Sequence, residues 1–428
     1  MRDKLRFVPF LCATLLMLAC ANPTLKHLEQ GDAYCSQQQW DEAISEYSKA
    51  IELNPNLASA YSKRGQAHAA REDWGQALSD LNKALELDPK LIEAYSHRAS
   101  VYHAQEQWDM AIADLNKAIE LDPKLAVSYS NRGWTYAGKG QFEQALADLN
   151  KAIELDPKLA EAYYNRGLVH NSQQQWDMGI ADLNKVIELD PTNFMAYNDR
   201  GSAYTNIGQL DAAIANLNKA IEIKPDYALA YYNRGLVYKE QEQWDPAIAD
   251  LSKSIELEPT LVTVHQELAE AYIGRAYSYG IRGQWDLAIA DLNKAIELEP
   301  ELADLPRSLA EAYIGRAFIY STKGQWDLAI TDLNEAIELA PNLALAYNNR
   351  GYAYSNTQQL DKAIADYSKA IELAPDYALA YYNRGINYYQ NGQADLAIAD
   401  FNKAIEISDD ADLTAAARER IAEIQRRK

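Results

Sequence analysis

Ten arginines stand at one recurring position of the chain: Arg64, Arg98, Arg132, Arg166, Arg200, Arg234, Arg275, Arg316, Arg350 and Arg384. A row of planar, permanently charged guanidiniums could serve as a basic ladder for anionic ligands. Sixteen residues after them, however, stand Asp80, Asp114, Asp148, Asp182, Asn216, Asp250, Asp291, Asp332, Asp366 and Asp400. Two antiparallel helices joined by a short turn bring positions sixteen apart together, so the arginines read as structural ion pairs with planar bidentate bonding. Where Gln30 replaces the arginine, Glu46 replaces the aspartate, so the exception touches both members.

Little other chemistry is spelled out. The six histidines, His27, His68, His97, His103, His170 and His265, have neither metal-ligand spacing nor a recurring carboxylate partner. A Gly-rich phosphate loop, a G-x-S-x-G elbow and an H-E-x-x-H helix are all missing from the sequence. The expectation is a protein that is no enzyme and takes no cofactor or metal. A formal charge of −21 repels phosphate backbones and argues against nucleic acid as a partner. Three cysteines do not make a disulfide framework, and Cys35 is expected to be a buried or idle thiol.

Ten prolines give the elements that position these residues. Pro55, Pro89, Pro123, Pro157, Pro191, Pro225, Pro259, Pro300, Pro341 and Pro375 follow one another in steps of 34 residues, apart from two steps of 41. This defines eleven repeats over residues 24–411, with seven extra residues in the repeats that end at Pro300 and Pro341. Each period reads as helix, short turn, helix, proline, a unit that cannot bury its apolar face alone and must stack on its neighbours. Residues 1–23 and 412–428 are too short for a separate catalytic domain of roughly 50 residues.

Within a unit such as 126–159, Tyr129, Arg132, Gly133 and Tyr136 mark the packed face of the first helix, and Ala145, Leu149, Ala152 and Ile153 that of the second. Small residues at the eighth position, including Gly65, Gly133, Gly167, Gly235, Gly351 and Gly385, face alanines at the twentieth and permit close approach of the two helices. Lys83, Lys117, Lys151 and Lys219, three residues before Glu86, Glu120, Glu154 and Glu222, read as solvated surface pairs.

An aromatic at the fourth position, Gly or Ala at the eighth, Tyr at the eleventh, Ala at the twentieth and a closing Pro resemble the tetratricopeptide repeat over residues 24–411. The departures are Gly179 for alanine, Ala394 for the aromatic and Asp409 for the last proline. The resemblance implies an all-α fold, a right-handed α-solenoid of eleven helix-turn-helix repeats, with first helices lining a concave peptide-binding groove. Non-packing positions there carry Asn131, Asn165, Asn233, Asn349 and Asn383, and Tyr164, Tyr232, Tyr382, Trp134, Tyr277, Phe318 and Tyr352. Asparagines can both donate to and accept from an extended peptide backbone, and aromatics supply contact area. The row resembles the asparagine row in the repeat superhelix of O-linked glycosyltransferases; local capping or solvent contact is the alternative. A carboxylate clamp of the kind used by chaperone-docking relatives is not expected, because Lys63 and Lys239 are isolated and Glu93, Glu161, Glu270 and Glu311 hold the second position.

The seven extra residues amount to about two helical turns and are expected to lengthen the first helix, with Thr263 or Asp304 as new caps, and to alter the local groove. Gly274 and Gly315 take the asparagine position in these units. Residues 412–428 place Leu413, Ala417, Ile421 and Ile424 at helical spacing and read as a capping helix.

At the other end, Arg2, Lys4 and Arg6 precede an apolar run from Phe7 to Leu18, shorter than a membrane span, as in an export signal over residues 1–19. Met17-Leu18-Ala19-Cys20 resembles the lipobox of bacterial lipoproteins, which implies lipidation at Cys20 and a linker over 20–23. Cleavage after Ala21, leaving a soluble secreted or periplasmic protein, is the alternative. Ala21 after the cysteine resembles outer-membrane sorting, facing the periplasm. The functional expectation is an exported, non-catalytic adaptor that holds a protein or peptide partner in its groove and meets the membrane only through its anchor. Alternatives are an accessory presenting substrate to a separate transferase or hydrolase, and a self-associating structural spacer.

Overall fold

Each period carries an amphipathic stretch of about a dozen residues, a short break, a second such stretch and a proline that bars continuation, so helical hairpins are the local outcome. The computed structural model describes residues 22–302 and 304–427, and among these it holds twenty-three helices and no strand. The chain forms two units, one up to Lys224 and one from Pro225. In the first, hairpins run from Pro23–Ser36 with Trp40–Leu53 to Phe194–Asn206 with Leu210–Ile223. In the second, they run from Ala228–Glu240 with Trp244–Leu257 to Ala378–Gln390 with Ala394–Ile407. Within each unit successive hairpins pack side by side, as in an α-solenoid. None of the described helices is long and apolar enough to cross a membrane. Cys20 and the proposed signal lie outside the described residues.

Close packing inside each hairpin follows from the small residues. A Cβ added at Gly133 would stand 2.8 Å from Leu149 and 3.0 Å from the Ala145 carbonyl, so that helix pair has no room for alanine. Gly179, which stands where other repeats have alanine, has a similar cause: the Asn171 carboxamide fills the space a methyl group would take.

Nine arginines of the series do more than pair with their own hairpin. Arg98 holds Asp114 with two bonds of 2.7 Å, and its remaining amino group donates to Asn82 Oδ1, 2.6 Å away on the preceding hairpin. The same three-way arrangement ties Arg132 to Asp148 and Asn116, Arg166 to Asp182 and Asn150, and Arg350 to Asp366 and Asn334. Ser48 and Ser368 replace the asparagine for Arg64 and Arg384. Tyrosines three residues before and four after flank Arg132 at 5.5 and 6.0 Å. The bonded carboxylates hold the Arg98 and Arg132 guanidiniums above their ordinary pKa, so the clamp stays charged. The surface pairs form too, for example Lys117 to Glu120 at 2.9 Å.

At the chain's far end the helix Ala411–Arg427 buries Ala417 and Ile424 against Phe401 and caps the last hairpin. Without it, that apolar face would meet water.

Two stability predictions follow from these contacts. Arg200 meets an amide: Asn216 Oδ1 accepts one bond of 2.7 Å, and burial with no carboxylate opposite pushes this guanidinium below its usual pKa. Asn216→Asp restores the bidentate pair and should stabilise the first unit by about 1 kcal/mol, since charged hydrogen bonds exceed neutral ones; a lowered urea midpoint would contradict the assignment. His97, with Nδ1 3.2 Å from Ser62 Oγ, is pushed by burial down to a pKa of about 4. Unfolded, it titrates near 6.5, so below that pH the unfolded chain takes up the proton first. The contribution of neutral His97 is therefore whole above about pH 6.5 and lost on the way to pH 4. His97→Asn should flatten the fall of the unfolding midpoint across that window, whereas an unchanged slope would refute the role.

Candidate functional site

The asparagine row is not a free row of amides. Asn165 is only 7% exposed, and its Nδ2 donates to Ser130 Oγ at 3.2 Å on the preceding first helix. Asn383 is half-buried and donates to Asn348 Oδ1 at 3.2 Å, while Asn349 accepts from Asn348 at the same distance. Asn131 and Asn233 are half-buried as well. The physical reason is inter-repeat packing: neighbouring first helices approach closely enough that the sixth position of one meets the fifth of the one before, so Asn165 and Asn383 find partners there.

Three of the tyrosines are likewise engaged. Tyr164 donates to Asp199 Oδ2 at 2.5 Å, and burial raises the Asp199 pKa above its ordinary value. Tyr232 packs on the core of Ala247, Leu251 and Val264. Tyr382 lies 5.5 Å from the Phe401 ring, in the core that the last helix covers. Four aromatics remain outward. Trp134, 37% exposed, stacks on His103 in the first unit. In the second unit Tyr277 is 73%, Phe318 61% and Tyr352 48% exposed, Tyr352 lying edge-on to Trp326. Lys63 is bound to Asp32, and Lys239 to Glu267 and Glu270, which leaves neither lysine to grip a carboxylate.

Tyr277 and Phe318 belong to the two lengthened helices, Val262–Ile281 and Leu305–Thr322. The first begins three residues after its proline, as the ordinary ones do, so Thr263 lies inside the helix and does not cap it. Asp304 stands at the N-cap of the second, but its carbonyl and not its carboxylate receives Ser308. The extra turns therefore extend beyond the level at which an ordinary first helix ends.

The arginine clamp records this slide. Arg275 and Arg316 keep their own Asp291 and Asp332, yet their third bonds go to Asp245 at 2.6 Å and Asp286 at 2.7 Å, thirty residues back. Ser252 stands where ordinary repeats place the accepting asparagine, and Asp245 lies seven residues before it. Each long hairpin has thus moved about 10.5 Å, two turns, along its predecessor. Residues thirty after such an aspartate normally sit at the tip of the next hairpin, as Lys139 does with Asp109 at 2.5 Å. Here that place falls in mid-helix.

The slide also explains Gly274 and Gly315. A Cβ at Gly274 would meet the Trp244 ring at 2.5 Å, and one at Gly315 the Trp285 ring at 2.6 Å. Trp244 Nε1 donates to Ser278 Oγ at 3.1 Å, locking the indole across the bare backbone. Beyond Trp285 the slid helices leave a cleft of about 380 Å³, walled by Ile273, Tyr277, Ile281, Trp285 and Ala312, with Ser308 and Glu311 at one side. Its apolar walls and exposed rim can seat side chains of another molecule. Among the described residues no three metal-ligating side chains converge.

Comparisons with known proteins find tetratricopeptide repeats along the chain. A TPR repeat family model matches residues 31–71, 67–106, 99–140, 133–174, 201–242 and 319–358. Tetratricopeptide repeat models match 160–193, 228–261, 344–377 and 378–410, together with 183–215 and 269–302. Similar solved structures include a tetratricopeptide repeat protein from Parabacteroides merdae, at 19% identity over 58% of this chain and 98% of that one, with a TM-score of 0.47. YrrB, described as a TPR protein with an unusual peptide-binding site, shows 28% identity over 43% and 95% of the two chains, with a TM-score of 0.33. MamA shows 31% identity over 42% and 96%, with a TM-score of 0.36. No curated protein matches the chain.

Restoring asparagine at the slid positions tests the packing. Gly274→Asn should destabilise the second unit by about 1–3 kcal/mol, because the indole it meets is rigid and hydrogen-bonded. Urea unfolding followed by tryptophan fluorescence reads this, and a neutral result would mean that Trp244 does not cross the helix there.

Proposed function

Because the chain belongs to the tetratricopeptide-repeat family, a family of protein-interaction scaffolds, we propose that it is an adaptor whose binding surface is the first-helix wall of the second unit. The observation that carries this reading is the exposure of Tyr277, Phe318 and Tyr352 on successive first helices, where large aromatics are normally buried unless a partner covers them. They project from helices of the packed repeats, so the backbone that carries them needs no ordering on binding. Within the second unit, Asn383, Tyr232 and Tyr382 are engaged in packing behind this wall.

The adaptor works outside the cytoplasm in this proposal, tethered through lipid on Cys20 and held at the periplasmic face of the outer membrane. Three bases before a twelve-residue apolar run and the Ala19-Cys20-Ala21 sequence support that placement. The partner contributes any chemistry, and the scaffold contributes proximity.

Two measurements test these statements. Crosslinking in the native host should capture a heterologous partner that is lost when Tyr277, Phe318 and Tyr352 are changed to alanine together; undiminished capture would remove the wall from the function. Metabolic labelling with a fatty-acid analogue should mark the wild-type chain and not Cys20→Ser, which should also leave the membrane fraction. Equal labelling of both would overturn the tether.

A further inference from the structure

The second, sixth and ninth positions of a first helix share one face, and the charge on that face differs between the two units. In the second unit the only charged residues at these positions are Glu270 and Glu311, bonded to Lys239 and Arg307. That face is neutral. In the first unit the same positions of six first helices carry five carboxylates, Glu29, Asp32, Glu93, Glu161 and Asp199, against one lysine, Lys63. Lys63 is already held by Asp32 at 2.6 Å. His97, on the same face, is kept neutral by burial, its pKa down at about 4. Glu29, Glu93, Glu161 and Asp199 therefore meet no cation among the described residues. On the second helices, by contrast, glutamates such as Glu120 and Glu154 each have a lysine.

Apolar groups stand among these unpaired charges. The bonds from Asn165 to Ser130 and from Tyr164 to Asp199 hold three neighbouring first helices nearly level, so their second positions, Val127, Glu161 and Met195, lie side by side. Val127 and Met195 are 39% and 41% exposed. A carboxylate thus sits between two uncovered apolar side chains. Asp199 follows Met195 by one turn, its carboxylate met by Tyr164 and Asn198 only, and Trp134 follows Val127 by two turns with its ring exposed. Although Glu161 is open to solvent, the protein around it raises its carboxyl pKa, and burial does the same at Asp199. Their ionised forms are poorly hydrated with no charge opposite, a cost that a cation brought by another molecule would offset.

We propose that this face is a docking surface of its own, additional to the wall of the second unit, and that it takes a protein segment carrying lysine or arginine among apolar side chains. A base reaches Glu161 while its alkyl stem lies along Val127 and Met195, as long basic side chains do on apolar surface. A second base meets Glu93, two first helices away, and an apolar side chain of the segment packs on Trp134. Complementary charge steers the segment in and rejects acidic ones. The two units then select different chemistry, the first by charge and the second by aromatic contact.

The test titrates the full chain by fluorescence anisotropy with three synthetic peptides that share their leucines and carry lysine, glutamine or glutamate between them. The lysine peptide should bind and the other two should not. Glu93→Gln/Glu161→Gln should weaken its binding about tenfold and flatten its salt dependence. Glu120→Gln/Glu154→Gln, which removes the same charge from the second helices, should change it little. A glutamine peptide that binds as tightly, or a second-helix pair that acts as strongly as the face pair, would overturn the proposal. So would binding that is lost in Tyr277→Ala/Phe318→Ala and kept in Glu93→Gln/Glu161→Gln, since the segment would then belong to the second unit. Glu93 and Glu161 are exposed and unpaired, so circular dichroism should show that variant folded as the wild type.

Discussion

The structure depends on a guanidinium that is shared between neighbours. An isolated hairpin buries too little apolar surface to persist, and stacking alone would let one hairpin slide on the next, since the apolar stripes of a repeat array look alike at every turn. The arginine removes that freedom. Two of its groups fix the carboxylate of its own hairpin, and the third reaches one acceptor on the preceding second helix, as Arg132 does with Asp148 and Asn116. Its planar fork tolerates little displacement, so the bond that joins repeats also sets their register.

The two lengthened repeats show the same clamp in a second setting. Inserting seven residues keeps the apolar face in phase, because seven residues return a helix nearly to the same side. Packing is thus preserved while the hairpin moves by two turns, and the arginine finds Asp245 or Asp286 in place of an asparagine. Everything distinctive about this region follows from that move. Indoles that elsewhere lie near a hairpin tip now cross the middle of a helix, which requires Gly274 and Gly315. Helix ends that would be flanked now stand clear, which exposes Tyr277, Ile281 and Phe318.

Much of the fold was legible in the sequence because a period of 34 residues and a spacing of sixteen leave few arrangements open. The hairpins, the glycine-to-alanine approach, the arginine–aspartate pairs and the final cap could all be read within one repeat. The candidate site was legible only in part. Tyr277, Phe318 and Tyr352 stand at outward positions, but the inward bonds of Asn165 and Asn383 depend on how one first helix meets the one before, and no single repeat contains that contact. The slide was missed for the same reason: an insertion announces extra length, not which neighbour the length moves along. A tryptophan stands thirty residues before a glycine at Trp244 and Gly274 and at Trp285 and Gly315, but also at Trp108 and Gly138 in an unlengthened repeat, so that pairing marks an indole against bare backbone and not the slide.

The central claim is that the slid clamp leaves Tyr277 and Phe318 uncovered on the wall of the second unit. Hydroxyl-radical footprinting of the full chain, read residue by residue with mass spectrometry, tests it most directly. The account predicts that Tyr277 and Phe318 are modified much faster than Tyr232 and Tyr382, which the packing of their own units shields. Equal rates at all four positions would contradict it.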